Sequence, residues 1–249
     1  MTPYLAPRKG TLPLNTSHYL YFSDSVRGLA RLPDQSVDLV VTDPPYGQDY
    51  STGRQKHTIR RTTRIPNDAG QLDVERLMVE LDRVTKPESH CYIFTSWKTV
   101  DVWKRPFERF FVLKNILIWS KDNHTAGDLA WSYAQSYEMI LFGMKGRKKL
   151  SGRRDRDSVY LPKVKSHAQE HLLQKPSGLI TYLIGKSSRP GDVVLDPFAG
   201  SGTTGACCIE AGRNSIQFEM DRRHRPVLVR RMKDAALRTP GSHRIITRP

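Results

Sequence analysis

The stretch DVVLDPFAGSGTTGACCIEAG, residues 192–212, decides the fold. An apolar run is followed by a glycine-rich turn and then by a helical pattern that ends at Gly212, a residue type that commonly stops helices. Gly200, Gly202 and Gly205 match G-x-G-x-x-G, which marks a cofactor-binding turn in nucleotide-binding domains. That turn usually follows the first strand of a domain, yet here it comes late in the chain, so its position and its ligand both need an explanation.

Apolar strand candidates recur along the chain, and helical patterns separate several of them. The strand candidates are HYLYFS (18–23), VDLVVT (37–42), HCYIFTS (90–96), LKNILIW (113–119), YEMILFG (137–143), DVVLD (192–196) and NSIQFEM (214–220). Several are near-continuous runs of β-branched and aromatic residues, as buried parallel strands tend to be. Helices are predicted over residues 72–84, 177–188 and 203–212. This alternation predicts a doubly wound α/β fold.

The charge balance predicts a polyanionic partner. Lys and Arg outnumber Asp and Glu by 40 to 25, and a net charge of +15 exceeds what solubility requires. Two basic, poorly periodic stretches, residues 53–64 and 144–171, are interpreted as loops or insertions that neutralise phosphates, although a solvated charged face is the default alternative. The candidate nucleic-acid contacts are Arg54, Lys56, Arg60, Arg61, Arg64, Arg147, Lys148, Lys149, Arg153 and Arg154.

The cysteines and the apolar runs predict a cytoplasmic protein without membrane attachment. Cys207 and Cys208 are adjacent, Cys91 stands alone, and no C-x-x-C occurs, which argues against a disulfide framework and a cysteine-built zinc site. No apolar run approaches the roughly 20 residues of a membrane span. The first ten residues, MTPYLAPRKG, lack the apolar core of a signal peptide.

The most informative motif is VTDPPYG, residues 41–47. A buried-looking strand ends there in Asp43, Pro44, Pro45 and Tyr46, and open α/β sheets bind ligands beyond the carboxyl ends of their strands. Consecutive prolines fix φ and remove two backbone donors, which leaves a stiff turn with free carbonyls beside a carboxylate and a phenol ring. An ordinary strand-ending turn is the alternative interpretation.

Such a turn suits the exocyclic amino group of a nucleobase. This nitrogen is a weak nucleophile because its lone pair is delocalised into the ring. A carboxylate and a carbonyl that accept its two N–H bonds would direct the lone pair toward an electrophile and stabilise the developing positive charge. Tyr46 could stack on the base, and a base within a duplex would have to be flipped out to reach the turn.

Together the motifs resemble those of the S-adenosylmethionine-dependent amino-methyltransferases of DNA. DPPY at 43–46 and DPFAGSGTTG at 196–205 are similar to motifs IV and I of that family. DPPY comes first, as in the family's β group, which would explain the late glycine loop. HLLQKPSGLITYLIGKSSRPGDVVLDPFAGSGTT (171–204) resembles the joined motifs X and I of that group, and residues 23–47 resemble its usual N-terminal run.

The resemblance covers most of the chain, except residues 47–66 and 144–170. It implies one methyltransferase domain over residues 1–249, with a Rossmann-like, mostly parallel seven-stranded sheet and a circularly permuted motif order. We expect a DNA-contacting loop over 47–68 and a short target-recognition insertion over 144–170. The implied partner is DNA with a flipped adenine, while a homodimer and a restriction endonuclease partner are both left open.

The resemblance also implies roles for matching positions. Asp43, Pro44, Pro45 and Tyr46 would form the catalytic turn, with the Asp43 side chain and the Pro44 carbonyl on the target amine. The family transfers the methyl group directly and needs no cysteine nucleophile, so the protein would contribute positioning and electrostatics. DPPY, as opposed to SPPY, favours adenine N6, while cytosine N4 is the alternative because both amines present the same two hydrogens.

S-adenosylmethionine is the implied cofactor, and no metal is expected. The implied cofactor-binding positions are Asp24, Asp43, Lys175, Ser177, Asp196, Phe198, Ala199, Gly200, Ser201, Gly202, Thr203 and Glu219. Asp196 would lie near the cofactor's amino group, Glu219 at the ribose hydroxyls and Asp24 beside the adenine ring. Lys175 and Ser177 would flank the methionine carboxylate. A surface-turn aspartate and a solvated strand end are the alternatives for Asp24 and Glu219.

Other interpretations of these motifs are weaker. GSGTTG (200–205) could be a dinucleotide fingerprint, but its Asp-Pro-Phe prefix is not needed there, and we expect the match through Gly205 to be incidental. HAQEH (167–171) matches H-x-x-E-H of zinc peptidases, but His171 already begins the segment that resembles motif X. An RNA methyltransferase and a non-catalytic DNA-binding protein are further alternatives; the intact DPPY and glycine motifs argue against the latter.

Overall fold

The structure is a computed structural model that describes residues 15–45, 72–121, 131, 133–152, 155–160 and 175–249. The helices and strands are, in chain order, β1 (Thr16–Tyr21), α1 (Ser25–Leu29), β2 (Val37–Thr42), α2 (Val74–Val84), β3 (Thr85–Thr95), α3 (Val100–Phe110), β4 (Val112–Ser120), β5 (Tyr137–Lys145), β6 (Ser158–Tyr160), α4 (Ser177–Ser187), β7 (Val193–Asp196), α5 (Thr203–Glu210), β8 (Asn214–Phe218), α6 (Arg225–Arg238) and β9 (His243–Arg248). A short 3-10 helix, Arg222–His224, precedes α6.

The strands of the described residues form one sheet in the order β6-β4-β5-β3-β2-β7-β8-β1-β9. β5 pairs antiparallel with β3 and β4, and the other pairings are parallel. The predicted α/β fold with a mostly parallel sheet is therefore confirmed, and all of the predicted strands are present. The predicted count of seven strands is wrong, because β6 and β9 raise it to nine.

The two unpredicted strands lack the apolar pattern of buried strands. β6 is three residues long and lies within the basic stretch that we interpreted as an insertion. β9, HRIITR, lies at the end of the sheet beside β1 and keeps its first and last residues partly or fully exposed. Residues 144–145 also belong to β5. Part of the presumed insertion is thus part of the sheet.

Helices cover both faces of the sheet. Successive residues of a strand point to opposite faces. Val40 and Cys91 pack with α1, α2 and α3, whereas their neighbours Leu39 and Tyr92 pack with α4 and α5. A third apolar cluster joins α5 and α6 to β1. The sheet is the middle of three layers, as in doubly wound folds.

The three cysteines lie in the interior of the fold. Cys91, Cys207 and Cys208 are buried free thiols. Burial raises the pKa of Cys207 to about 12, so this thiol stays protonated and unreactive. Among the described helices, none has the length and apolar character to span a membrane.

Gly205 is not incidental, which corrects our expectation. It lies in α5, where an added Cβ would stand 2.1 Å from Gln217 Nε2 and 2.8 Å from Met232 Sδ. Both neighbours are buried, so neither can move into solvent. Gly205 therefore allows α5 to pack closely on β8, the packing role of the third glycine in G-x-G-x-x-G turns.

Replacing Gly205 with Ala is expected to destabilise the protein by about 1–3 kcal/mol, because the methyl group overpacks a filled core. Gly178→Ala is the matched control. It also lies in a helix, but its added Cβ meets nothing within 4 Å, so unfolding stability should stay the same or rise by up to about 1 kcal/mol. Urea unfolding measures both changes. Equal stabilities for the two variants would contradict the packing role of Gly205.

Candidate active site

The carboxyl ends of four neighbouring parallel strands meet at one edge of the sheet, which we call the carboxyl edge. β1, β8, β7 and β2 lie side by side and point the same way. Asp43 follows β2, Asp196 ends β7, Glu219 follows β8, and Asp24 comes shortly after β1. The structure therefore brings these predicted acids to a single edge, the one at which open α/β sheets bind ligands.

The glycine loop between β7 and α5 is held against the end of β8. The Ala199 N–H donates to the Phe218 carbonyl at 2.9 Å, and the Gly200 N–H donates to Glu219 Oε2 at 2.8 Å. Gly202 has a φ of +78°, a left-handed conformation that glycine adopts without strain at the start of α5. The Glu219 carboxylate therefore shapes the loop, in addition to its predicted role at the ribose.

An arginine of α6 fastens the same loop from the other side. Arg231 Nη1 donates to Ser201 Oγ at 2.7 Å and to Thr203 Oγ1 at 2.9 Å. Both hydroxyl-bearing residues are buried. Sequence reasoning missed Arg231 because it lies in a helix without a recognisable motif, next to another arginine.

Asp196 is buried and hydrogen-bonded to the last residue of β2. Thr42 Oγ1 donates to Asp196 Oδ1 at 3.0 Å, and the Phe198 N–H donates to the same oxygen at 3.1 Å. Burial raises the pKa of Asp196 to about 6, and the nearby charge of Asp43 adds to the rise, although hydrogen bonds to the carboxylate oppose it. This carboxylate is ionised at neutral pH and is suited to binding a cation.

Asp43 forms an ion pair with Lys175, which lies just before α4. The same ammonium stands 3.2 Å from Oε2 of Glu138, in β5. Although burial opposes the change, the carboxylates of Asp43 and Glu138 raise the pKa of Lys175 above its usual range. The structure thus places a predicted cofactor ligand on the predicted catalytic acid. Sequence reasoning missed Glu138. The only signal was its position as an acid near the start of the apolar strand YEMILFG.

The remaining described positions of the predicted site lie at the same edge. Asp24 caps α1 by accepting the Arg27 N–H at 2.9 Å, so one of its oxygens is already used in the turn. Ser177 is the exposed first residue of α4. Pro44 is buried and Pro45 is half-buried, directly after Asp43. Stiff prolines thus extend the strand end toward the crevice.

Three predicted DNA contacts lie at the opposite, amino edge of the sheet. They are Arg147, Lys148 and Lys149, which follow the antiparallel strand β5. The Arg147 N–H donates to Glu88 at 2.8 Å, and Lys148 Nζ donates to the Asp38 carbonyl at 3.3 Å. Asp38 and Asp43 stand about 16 Å apart along β2, given about 3.3 Å per residue. The structure does not bring these cations to the candidate site, and their contact with DNA stays a prediction.

Several predicted residues lie outside the described part of the chain. They are Tyr46, Arg54, Lys56, Arg60, Arg61, Arg64, Arg153 and Arg154, together with the H-x-x-E-H match at 167–171. Within the residues that the structure does describe, no cluster of three or more His, Cys, Asp or Glu side chains could hold a metal ion.

The fold is that of known DNA methyltransferases. The crystal structure of the M1.HpyAVI complex with S-adenosylmethionine is similar with a TM-score of 0.66 and 22% identity, over 86% of this chain and 99% of that one. PvuII DNA methyltransferase, described as cytosine-N4-specific, has a TM-score of 0.69 and 18% identity, over 94% and 98% of the two chains. These likenesses show that the fold is shared over most of the chain.

A sequence comparison gives the family. A family model described as DNA methylase, of the N6/N4 type, matches residues 37–230, well over half of the chain. The chain belongs to this family of S-adenosylmethionine-dependent DNA methyltransferases. DNA adenine methyltransferase YhdJ of Escherichia coli K12 is 27% identical over 256 aligned residues, which cover 89% of this chain and 85% of the relative.

Proposed function

We propose that the protein methylates adenine N6 in DNA after the base has been flipped out of the duplex. One observation carries the proposal: Asp43 and the cofactor-type glycine loop follow neighbouring strands, and the last residues of those two strands are hydrogen-bonded through their side chains. β2 pairs with β7, and Thr42, the residue before Asp43, donates to Asp196 at 3.0 Å. An amine held at Asp43 would therefore lie beside a cofactor held by the loop.

The charged side chains near the glycine loop fit S-adenosylmethionine. Asp196 offers a buried carboxylate to the cofactor's ammonium, and Glu219 offers a partly buried carboxylate to the two ribose hydroxyls. Asp24 would lie beside the adenine ring, and Lys175 with Ser177 would flank the methionine carboxylate. In this arrangement Phe198, Ala199, Gly200, Ser201, Gly202 and Thr203 line or shape the loop. The β-group assignment, which rests on DPPY preceding the loop, is part of this proposal.

The residues of the turn would act by orientation and electrostatics. S-adenosylmethionine supplies an electrophilic methyl group on its sulfonium sulfur. The Asp43 carboxylate and the Pro44 carbonyl would accept the two N–H bonds of the target amine and aim its lone pair at that methyl carbon. The same acceptors would stabilise the positive charge that grows on the nitrogen as the new N–C bond forms and the C–S bond of the sulfonium breaks, leaving a thioether. The methylated nitrogen would then lose one proton to solvent. Tyr46 would stack on the flipped base.

The proposal is tested by incubating the purified protein with S-adenosylmethionine and duplex DNA, then identifying the modified nucleosides by mass spectrometry. N6-methyladenine is the expected product. N4-methylcytosine would establish the alternative specificity, and transfer confined to structured RNA would replace DNA as substrate. No incorporation into any substrate, despite cofactor binding, would overturn the enzymatic proposal. Single-molecule sequencing of the modified DNA would then report the recognition site.

The cofactor affinity should weaken in acid, because the proposed Asp196 contact needs an ionised carboxylate. The pKa of Asp196 is raised to about 6, so the residue is charged above that pH and neutral below it. We expect S-adenosylmethionine to bind about tenfold more weakly at pH 5 than at pH 7, following the ionised fraction. Asp196→Asn should bind weakly at both pH values. A wild-type affinity that is constant from pH 5 to 7 would remove Asp196 from the cofactor's ammonium.

The basic loop over residues 47–68 is proposed to contact DNA phosphates. Replacing Arg60 and Arg61 with Ala should weaken DNA binding. The logarithm of the DNA association constant falls linearly with the logarithm of the salt concentration, and the loss of two phosphate contacts should make this slope shallower by about 1.8. Fluorescence anisotropy at several salt concentrations measures it. The double variant Lys148→Ala/Lys149→Ala, measured in the same way, tests whether the amino edge contacts DNA. An unchanged slope would remove the corresponding residues from the interface. A homodimer and a restriction partner stay open.

A further inference from the structure

Four charged side chains form a line along the carboxyl edge of the sheet, from Asp43 after β2 to Lys121 after β4. Lys175 contacts both Asp43 and Glu138, and Lys121 Nζ lies 2.6 Å from the other oxygen of Glu138. The side chains of Lys121 and Lys175 are only 8% and 9% exposed, and that of Glu138 is 17% exposed. Acids and lysines alternate along the line, so each buried charge has an opposite charge beside it.

Each member is held by a rigid part of the fold. Asp43 follows β2, Glu138 lies in β5, Lys121 directly follows β4, and Lys175 precedes α4. The Lys175 ammonium lies 5.3 Å from the centre of the Phe94 ring, and the Lys121 ammonium lies 4.8 Å from that of Trp119. Aromatic faces favour cations at such distances. Four elements thus converge to keep these charges in one geometry.

The inner members of the line stay ionised around neutral pH. Burial acts to raise the pKa of Glu138, but the charges of Lys175 and Lys121 outweigh it and hold that pKa below its usual range. The two acids likewise keep Lys175 protonated. Buried charges are costly to retain, so their position next to a catalytic-type acid calls for a functional reason.

We propose that Glu138 is a positioning residue that acts through Lys175, drawing the ammonium partly away from Asp43 so that Asp43 can accept hydrogen bonds from the target amine. Lys121 holds Glu138 in place for this task. The inference rests on the proposed function, but it does not depend on whether the target is adenine N6 or cytosine N4.

The proposed effect of Glu138 on Asp43 is electrostatic. A lysine ammonium has three N–H donors and can serve both carboxylates at once. Without the Glu138 charge, the ammonium would face Asp43 alone, and the carboxylate would become a poorer acceptor. A cation fixed on Asp43 would also oppose the positive charge that develops on the attacking nitrogen. Glu138 therefore affects the rate of transfer more than cofactor affinity, even though the proposed cofactor ligand Lys175 links the two sites.

The test is Glu138→Gln, which keeps the shape of the side chain and removes its charge. The single-turnover rate at saturating DNA and cofactor should fall by about 10- to 100-fold, by analogy with the loss of a residue that orients a metal ligand from behind. The dissociation constant for S-adenosylmethionine should change far less. Glu80→Gln is the matched control, since it makes the same chemical change at an acid of similar exposure, 16%, that pairs with Arg83 at 2.8 Å within α2, and its rate should equal wild type.

The pH profile separates positioning from mere structural support. Asp43 faces Lys175, which precedes α4, and Asp196, which ends β7, while Glu138 and Lys121 lie behind Lys175. Glu138→Gln removes a negative charge, so the acidic limb of the single-turnover rate should move to lower pH. Lys121→Met removes a positive charge, so that limb should move to higher pH. A purely structural role would slow both variants without opposite displacements of the limb.

The outcomes distinguish failure of the proposed function from failure of the proposed role of Glu138. A wild-type protein that transfers no methyl group overturns the proposed function and this inference with it. If the wild type is active and Glu138→Gln transfers methyl groups equally fast, the role of Glu138 is overturned and the proposed function is not. The same conclusion follows if the acidic limbs of Glu138→Gln and Lys121→Met move in the same direction. If Glu138→Gln does not fold, the double variant Glu138→Gln/Lys121→Met removes the two charges as a pair. A wild-type rate in that double variant would equally overturn the role of Glu138.

Discussion

Asp43→Ala is expected to lower the single-turnover rate of methyl transfer by about 10²–10³-fold, the usual cost of removing one preorganised electrostatic group from an active site. The amine would lose the carboxylate that aims its lone pair and stabilises its growing charge. The fold should survive, because Lys175 keeps Glu138 as a partner at 3.2 Å. Asp43 is one of the implied cofactor-binding positions, but cofactor affinity should fall less than the rate, because the glycine loop and Glu219 are untouched. Radiolabelled methyl transfer and calorimetric cofactor binding measure the two effects separately.

Asp38→Ala is the matched control for that prediction. Asp38 belongs to the same strand, β2, but its carboxylate pairs with Lys86 at 2.7 Å and accepts the Val193 N–H at 2.9 Å. Its loss should lower stability by about 1 kcal/mol and leave the transfer rate at the wild-type value. If Asp43→Ala transferred methyl groups as fast as Asp38→Ala, the DPPY turn would not be catalytic.

The sequence was most informative where one short pattern determines both structure and chemistry. VDLVVT predicted the buried strand β2, and the following Asp43 is found at the carboxyl edge, beside the Asp196 that ends β7. Strand alternation predicted the α/β class because buried parallel strands need continuous apolar runs. The short strand β6 and the edge strand β9 were missed for the complementary reason, since their residues stay polar or partly exposed.

Long-range side-chain contacts could not be predicted in the same way. Glu138 contacts Lys175, which is distant in sequence, and Arg231 reaches Ser201 from α6, the helix that follows the next strand, β8. No local pattern records such pairs. The position of charged clusters was equally hard to predict. The sequence suggested that Lys148 belongs to a basic surface beside the candidate site, but β5 is antiparallel and its end lies at the amino edge of the sheet.

The same logic explains why Gly205 was misjudged. A motif read along the chain shows which residues form a turn, but it does not show what packs behind the helix that follows. Gln217 of β8 fills the space in which a side chain at 205 would lie. The glycine loop is therefore defined by two different requirements: left-handed backbone at Gly202 and a close helix–strand contact at Gly205. Only the first is local.

Glu219→Ala is expected to weaken S-adenosylmethionine binding by about 10- to 100-fold, since hydrogen bonds to a charged group contribute about 1.5–3 kcal/mol. The ribose hydroxyls would lose their acceptor, and the N–H groups of Gly200 and Asp221, at 2.8 and 2.7 Å from the carboxylate, would lose theirs. The loop would bind less tightly even before the ribose is considered.

The transfer rate at saturating cofactor separates this effect from a catalytic one. It should stay close to wild type, because Glu219 follows β8 and does not contact the DPPY turn's ion pair between Asp43 and Lys175. Glu210→Ala, at the exposed end of α5, is the control and should leave both quantities unchanged. If cofactor affinity in Glu219→Ala equalled that in Glu210→Ala, Glu219 would be a solvated strand end. The ribose would then need a different acceptor, and the glycine loop would not depend on this carboxylate for its shape.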